Sequence, residues 1–258
     1  MLQDQHLQIV VADLSQNAVL DPPALALSSA AIHIWEFPLS ISQSAFTSLA
    51  RLLSPDEQTT ASRFRFERDA RRFTVARASL RAVLTGYTRS PARDLQFVYS
   101  QHGKPALAHS PQDIRFSVSH SGDLALLAVA RSREVGVDLE VIREDVETDK
   151  LAQRFFSVRE RESLHLLPSQ HRVPAFFRCW TCKEAFLKAQ GVGLSRSLES
   201  FDVEVDPARS ARLISTRPNP GESESWSLHD VEMPPAYAAA VAVEAVIAEM
   251  KILRCRQR

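Results

Sequence analysis

Val135-Gly136-Val137-Asp138-Leu139-Glu140-Val141 alternates apolar residues with polar or small ones without a break. On a strand, Val135, Val137, Leu139 and Val141 share one face, and Gly136, Asp138 and Glu140 share the other. The apolar face predicts a strand laid on a core. The acidic face leaves two readings open. Asp138 and Glu140 are solvated acids on a half-exposed edge strand, or a carboxylate pair spaced to meet one hard cation such as Mg²⁺. Gly136 favours the second reading, because a missing side chain beside the acids leaves room for a ligand.

Downstream, Phe177-Arg178-Cys179-Trp180-Thr181-Cys182-Lys183-Glu184-Ala185-Phe186-Leu187-Lys188 lies in a long helix predicted from about Val173 to Gln190, with Gly191 as its stop. Trp180, Glu184 and Lys188 are four apart and share a helix face. Glu184 and Lys188 read as an ordinary i,i+4 pair or, joined to Asp138 and Glu140, as three acids and a lysine equipped for metal-assisted phosphoryl chemistry. Cys179-Trp180-Thr181-Cys182 has the C-x-x-C spacing, but it follows a helical turn instead of opening a helix, which favours core cysteines over a redox pair. A zinc site lacks a second ligand pair.

Upstream, Phe116-Ser117-Val118-Ser119-His120-Ser121-Gly122 ends a strand in a turn. Ser119 and His120 are adjacent and point to opposite faces, so they do not make a catalytic dyad. Hydroxyls, imidazole and backbone N–H groups at a strand end suit phosphate, or they simply terminate a hairpin. Arg63, Arg65, Arg68, Arg71, Arg72, Arg77 and Arg81 form one basic stretch, diluted by Glu67 and Asp69. It reads as a solvated arginine face or as a grip for a small phosphorylated ligand. Nucleic-acid binding would require strongly salt-dependent affinity.

The organisation is helix-then-strands, twice. Ser54-Pro55-Asp56-Glu57 and Ser157-Val158-Arg159-Glu160 are capping boxes. A helix with Phe73, Ala76, Leu80, Val83 and Leu84 on one face spans Glu67 to Thr85. A strand is predicted over 32–37 before the first helices. Strands are also predicted over 95–99, 114–118, 124–130 and 135–141, and after the second long helix over 201–205, 211–216, 226–231 and 237–243. This predicts an α+β fold of two similar halves, 31–132 and 133–245, with a poorly patterned extension over 1–30 and a tail over 246–258.

Composition narrows the function. The 258 residues carry 31 basic and 31 acidic side chains, so charge favours neither a nucleic-acid nor a membrane partner. Only Lys104, Lys150, Lys183, Lys188 and Lys251 are lysines, which hints that these positions need a compact ammonium. No apolar run approaches a membrane span, the start lacks a signal-peptide pattern, and three cysteines make no disulfide framework. A cytoplasmic protein is expected.

The ordered set of Gly103-Lys104-Pro105, Phe116 to Gly122, Gly136-Val137-Asp138-Leu139-Glu140 and Trp180 to Lys188, with Arg63-Phe64 and Asp69-Ala70-Arg71-Arg72 before them, resembles the 4′-phosphopantetheinyl transferases. The resemblance is to their longer, surfactin-synthetase-activating type and covers roughly residues 50 to 243. It implies two α+β halves related by a pseudo-twofold, each a small antiparallel sheet packed on a long helix. Coenzyme A would lie in the cleft between them. Asp138, Glu140 and Glu184 would hold Mg²⁺ on the coenzyme A pyrophosphate. Glu184 would also be the base toward a serine of an apo acyl or peptidyl carrier protein, and Lys188 would neutralise the α-phosphate side. Arg63, Arg72, Lys104, Ser119 and His120 would grip the 3′-phosphate and nucleotide. The resemblance further implies a monomeric enzyme serving fatty-acid, polyketide or nonribosomal-peptide carriers. The alternative is a coenzyme A-binding module without catalysis. Ser117 stands where the family usually has Asn, and Glu57 and Thr60 stand where some members have lysines.

Overall fold

The computed structural model describes residues 7–15 and 25–256. In chain order the first part comprises β1 (Gln8–Ser15), β2 (Ala31–Pro38), α1 (Gln43–Ala50), α2 (Pro55–Ser62) and α3 (Glu67–Thr88). Strands β3 (Phe97–Tyr99), β4 (Pro105–Leu107), β5 (Ile114–Ser121), β6 (Leu124–Arg131) and β7 (Val135–Val141) follow. Next come α4 (Thr148–Phe155), α5 (Val158–Leu166) and α6 (Ser169–Gln190). The chain closes with β8 (Phe201–Val203), β9 (Leu213–Thr216), β10 (Trp226–Asp230), β11 (Tyr237–Glu244) and β12 (Glu249–Arg256). The fold class is α+β, as expected.

Side-chain alternation sets the layers. On β6, Ala125, Leu127 and Val129 join the core under α3, while Leu126, Ala128 and Ala130 face a second core. That second core also takes Ile32 and Ile34 of β2, Val135, Val137 and Leu139 of β7, and Val241 and Val243 of β11. Ala240 and Ala242 of β11 turn the other way, onto Phe176, Ala185 and Phe186 of α6. The molecule therefore stacks as helix, sheet, sheet, helix. Each outer layer is built on one 22-residue helix, α3 or α6.

The first sheet departs from expectation. It has five strands in the order β1-β12-β2-β6-β5, and β1, β12 and β2 run parallel. The segments read as an extension and a tail thus supply β1 and β12, although residues 1–6, 16–24 and 257–258 lie outside the described residues. The physical reason is pairing: a tail with Ile252 and Leu253 buried cannot stay loose beside an open β2 edge. The second sheet, β10-β11-β7, is antiparallel throughout.

The arginine face is also corrected in part. Arg81 is buried and, with Arg77, grips the buried carboxylate of Glu57. Glu57 further accepts the Ser54 N–H at 3.1 Å, so the residue at a family lysine position ties α2 to α3. Among the described residues no helix is long and apolar enough to cross a membrane.

Candidate active site

The site forms where β5, β7 and α6 meet. Gly136 makes that meeting possible, because a Cβ there would stand 2.1 Å from the Ala185 carbonyl oxygen and 2.2 Å from the Ala189 nitrogen. The room beside the acids that the sequence suggested for a ligand is filled by the α6 backbone. Pressed against β7, α6 turns Lys188 toward Asp138. The lysine Nζ donates to Asp138 Oδ1 at 2.6 Å and to Ser119 Oγ at 3.0 Å. Asp138 is buried, and its Oδ2 has no hydrogen-bond partner.

Beside β7 runs a ladder of hydroxyls. Ser117, Ser119 and Ser121 of β5 accept the backbone N–H groups of Val137, Leu139 and Val141 at 3.1, 3.3 and 3.1 Å. Two rungs continue to the acids: Ser119 donates to Asp138 Oδ1 at 2.9 Å, and Ser121 donates to Glu140 Oε2 at 3.0 Å. Ser117, the departure from the family's Asn, is thereby a backbone acceptor that joins the two sheets.

Glu184, on the same face of α6 as Lys188, carries the third acid. Burial pushes its carboxyl above the usual range, with the charge of Asp138 next in size and that of Glu140 adding; Lys188 opposes them. Glu140 is raised by burial first and Asp138 second, against the pull of the Ser121 hydrogen bond, Lys188 and Arg143. The acids of β7 and α6 thus sense one another, as the sequence spacing suggested. Lys188 and Glu184 also line a pocket of about 240 Å³ with His102, Lys104, Ser117 and Val118.

The residues expected to grip the nucleotide scatter more widely. Lys104 donates to Glu134 Oε2 at 2.6 Å and to the Ala189 carbonyl at 2.7 Å, fastening the β3–β4 hairpin to α6. Arg72 pairs with Asp123 in the β5–β6 turn at 2.6 Å. His120 keeps an exposed edge; partial loss of solvent around its ring, then the charges of Lys188 and Arg72, hold its pKa below the ordinary value. Ser119 serves Asp138 and Lys188, and Arg63 is exposed between α2 and α3. Cys179 and Cys182 are buried core thiols, both raised by desolvation. Sequence reasoning missed Ser121 as a partner of Glu140; its signal was the serine at every second position from Ser117 to Ser121.

Three carboxylates and an ammonium beside a pocket are the equipment of a phosphoryl-group transferase: acids hold a cation or take a proton, and the lysine offsets charge. Residues 134–242 match the 4′-phosphopantetheinyl transferase superfamily, and residues 39–132 match the family described as 4′-phosphopantetheinyl transferase, N-terminal. The chain is 41% identical to the 4′-phosphopantetheinyl transferase HetI of Nostoc sp. strain PCC 7120, over 86% of this chain and 91% of that protein. It is 32% identical to the 4′-phosphopantetheinyl transferase psf-1 of Bacillus pumilus, over 80% and 86%. It is 31% identical to the 4′-phosphopantetheinyl transferase Sfp of Bacillus subtilis, over 59% and 66%. The chain belongs to the 4′-phosphopantetheinyl transferase family, of the Sfp-like type.

Proposed function

We propose that the chain transfers 4′-phosphopantetheine from coenzyme A to a serine of an apo acyl or peptidyl carrier protein, releasing adenosine 3′,5′-bisphosphate. The observation that carries this reading is the meeting of Asp138 and Glu140 with Glu184 and Lys188, in a chain of this family.

Mg²⁺ suits these residues by chemistry. The donors are carboxylate oxygens, Asp138 Oδ2 is buried without a partner, and burial with mutual repulsion raises Glu140 and Glu184. Among the described residues no three His, Cys, Asp or Glu side chains form a metal-binding group, and Lys188 sits on Asp138. Asp138, Glu140 and Glu184 are the residues that would hold the ion, whose charge would counter that of the pyrophosphate.

The chain's own groups carry the rest. The serine oxygen forms a bond to the β-phosphorus as the pyrophosphate bond breaks toward the nucleotide. Glu184 accepts the serine proton in concert with attack on phosphorus, because a carboxylate is too weak a base to remove it outright. Lys188 balances charge building on the leaving α-phosphate. Lys104, Ser119, His120, Arg63 and Arg72 make up the proposed grip on the nucleotide and 3′-phosphate, reached by exchanging present partners such as Glu134 and Asp123 for phosphate. The enzyme would work as a cytoplasmic monomer, without nucleic-acid or membrane partners.

Incubating the purified protein with coenzyme A, Mg²⁺ and a panel of apo carriers tests the function. The expected result is a mass gain of one phosphopantetheinyl group on at least one carrier, lost when its serine is replaced. No gain on any acyl or peptidyl carrier would contradict it.

A further inference from the structure

We propose that Ser121 is a positioning residue that aims Glu140 at the cation of the transfer site, a role that rests on the function proposed above. Along β5, three serines stand two residues apart, and each hydroxyl accepts a backbone N–H of β7. The rungs differ in where the hydroxyl proton goes. Ser119 and Ser121 pass it to the acid one residue before the N–H they accept, Asp138 and Glu140. Ser117 stands opposite Val137, and the preceding residue, Gly136, has no side chain to receive a proton.

The ladder therefore does two separable things. All three rungs join the sheets by satisfying the β7 edge. Only two also hold a carboxylate. Ser119 is shared with Lys188, which leaves Ser121 as the rung whose onward contact is to Glu140 alone. A glutamate side chain has three rotatable bonds, and an acid half-buried beside Asp138 is repelled by that neighbour. Without the 3.0 Å bond from Ser121, Glu140 is free to swing toward solvent. A hydroxyl locked on one side by a backbone N–H and on the other by a carboxylate oxygen fixes the acid's orientation relative to the strand.

The test uses Mn²⁺ as the probe, its binding to the full chain followed by electron paramagnetic resonance with saturating coenzyme A, and coenzyme A alone as blank. Ser121→Ala is expected to weaken Mn²⁺ binding by about 10-fold, the lower end for lost outer partners of a ligand. Ser121→Thr, which keeps the hydroxyl, should restore it. Ser215→Ala removes a hydroxyl-to-carboxylate bond to Asp202, outside the pocket of the transfer site; it should lower Tm while leaving Mn²⁺ affinity at the wild-type value. Equal Mn²⁺ affinity for Ser121→Ala and wild type would overturn the role of Ser121 and leave the transfer function standing. Equal weakening in Ser215→Ala would overturn it too, reducing the effect to lost stability. A wild type that takes up no Mn²⁺ would remove the cation site and Ser121's role together, while carrier modification reports separately on the function.

Discussion

Lys188 reaches across from α6 to Asp138 on β7, 2.6 Å away, and among the described residues its ion pair is with Asp138 alone. Four residues earlier on its own helix stands Glu184, the partner that spacing alone would choose for a surface pair of about 0.3–0.5 kcal/mol. The cross-element pair has a different worth, because Asp138 is buried and Lys188 is about one-third exposed, at 33%. Breaking it strands a buried carboxylate. Lys188→Met should destabilise the fold by about 1–2 kcal/mol, below the full cost of a wholly buried pair because the ammonium is partly solvated. Adding Asp138→Asn should return much of that loss. Urea unfolding of the two single variants and the double variant measures the coupling. Additive losses would mean that the pair carries no such energy.

Gly136 supports the same contact by having no side chain. A methyl group there meets backbone atoms of Ala185 and Ala189, which cannot rotate away. Gly136→Ala should therefore push α6 off β7, cost about 1–3 kcal/mol or more, and depress transfer along with stability. A Tm within a degree of wild type and full transfer would show that α6 tolerates the added carbon.

The parts legible in the sequence were those whose partners are close or whose period is strong. The alternation of β7 gave its boundaries, and the spacing of Glu184 and Lys188 put both on one side of α6. The strands β1 and β12 were not legible, because each is defined by a parallel partner far away in the chain, and neither has a turn to announce it. Arg81 looked like a member of a solvated row; its burial depends on Glu57, which lies on another helix. Gly136 suggested room for a ligand, whereas that room is taken by the backbone of α6, whose packing no local pattern reveals. The serine period of β5 was visible as spacing, while its register against β7 was not.

A pH effect on stability should come from a site far from the transfer chemistry. His33 is buried in the first sheet, with Nδ1 2.7 Å from the Tyr87 hydroxyl, which itself accepts the Trp35 Nε1–H at 2.8 Å. Burial first, then the charge of Lys251, lowers its pKa to about 4 from 6.5. Above pH of about 6.5 both folded and unfolded chains hold His33 neutral, and it contributes nothing to the pH dependence. As pH falls from there, the unfolded chain takes the proton first, so stability is lost progressively until the folded ring also protonates. The full loss is about 3 kcal/mol, reached below about pH 4. The difference in unfolding free energy between wild type and His33→Gln should change by that amount from the upper limit to the lower one. Parallel slopes would place the titration elsewhere.

The central claim is that Glu184, on the α6 face it shares with Lys188 and beside Asp138 and Glu140 of β7, is the base of phosphopantetheine transfer. Single-turnover transfer to an apo carrier by Glu184→Gln tests it most directly, with Tm and coenzyme A binding measured on the same preparation. The account predicts a folded protein that still binds coenzyme A and transfers at least about 10²-fold more slowly, the scale of a lost general base. Retained folding with a transfer rate near wild type would contradict it and leave Glu184 a structural residue of α6.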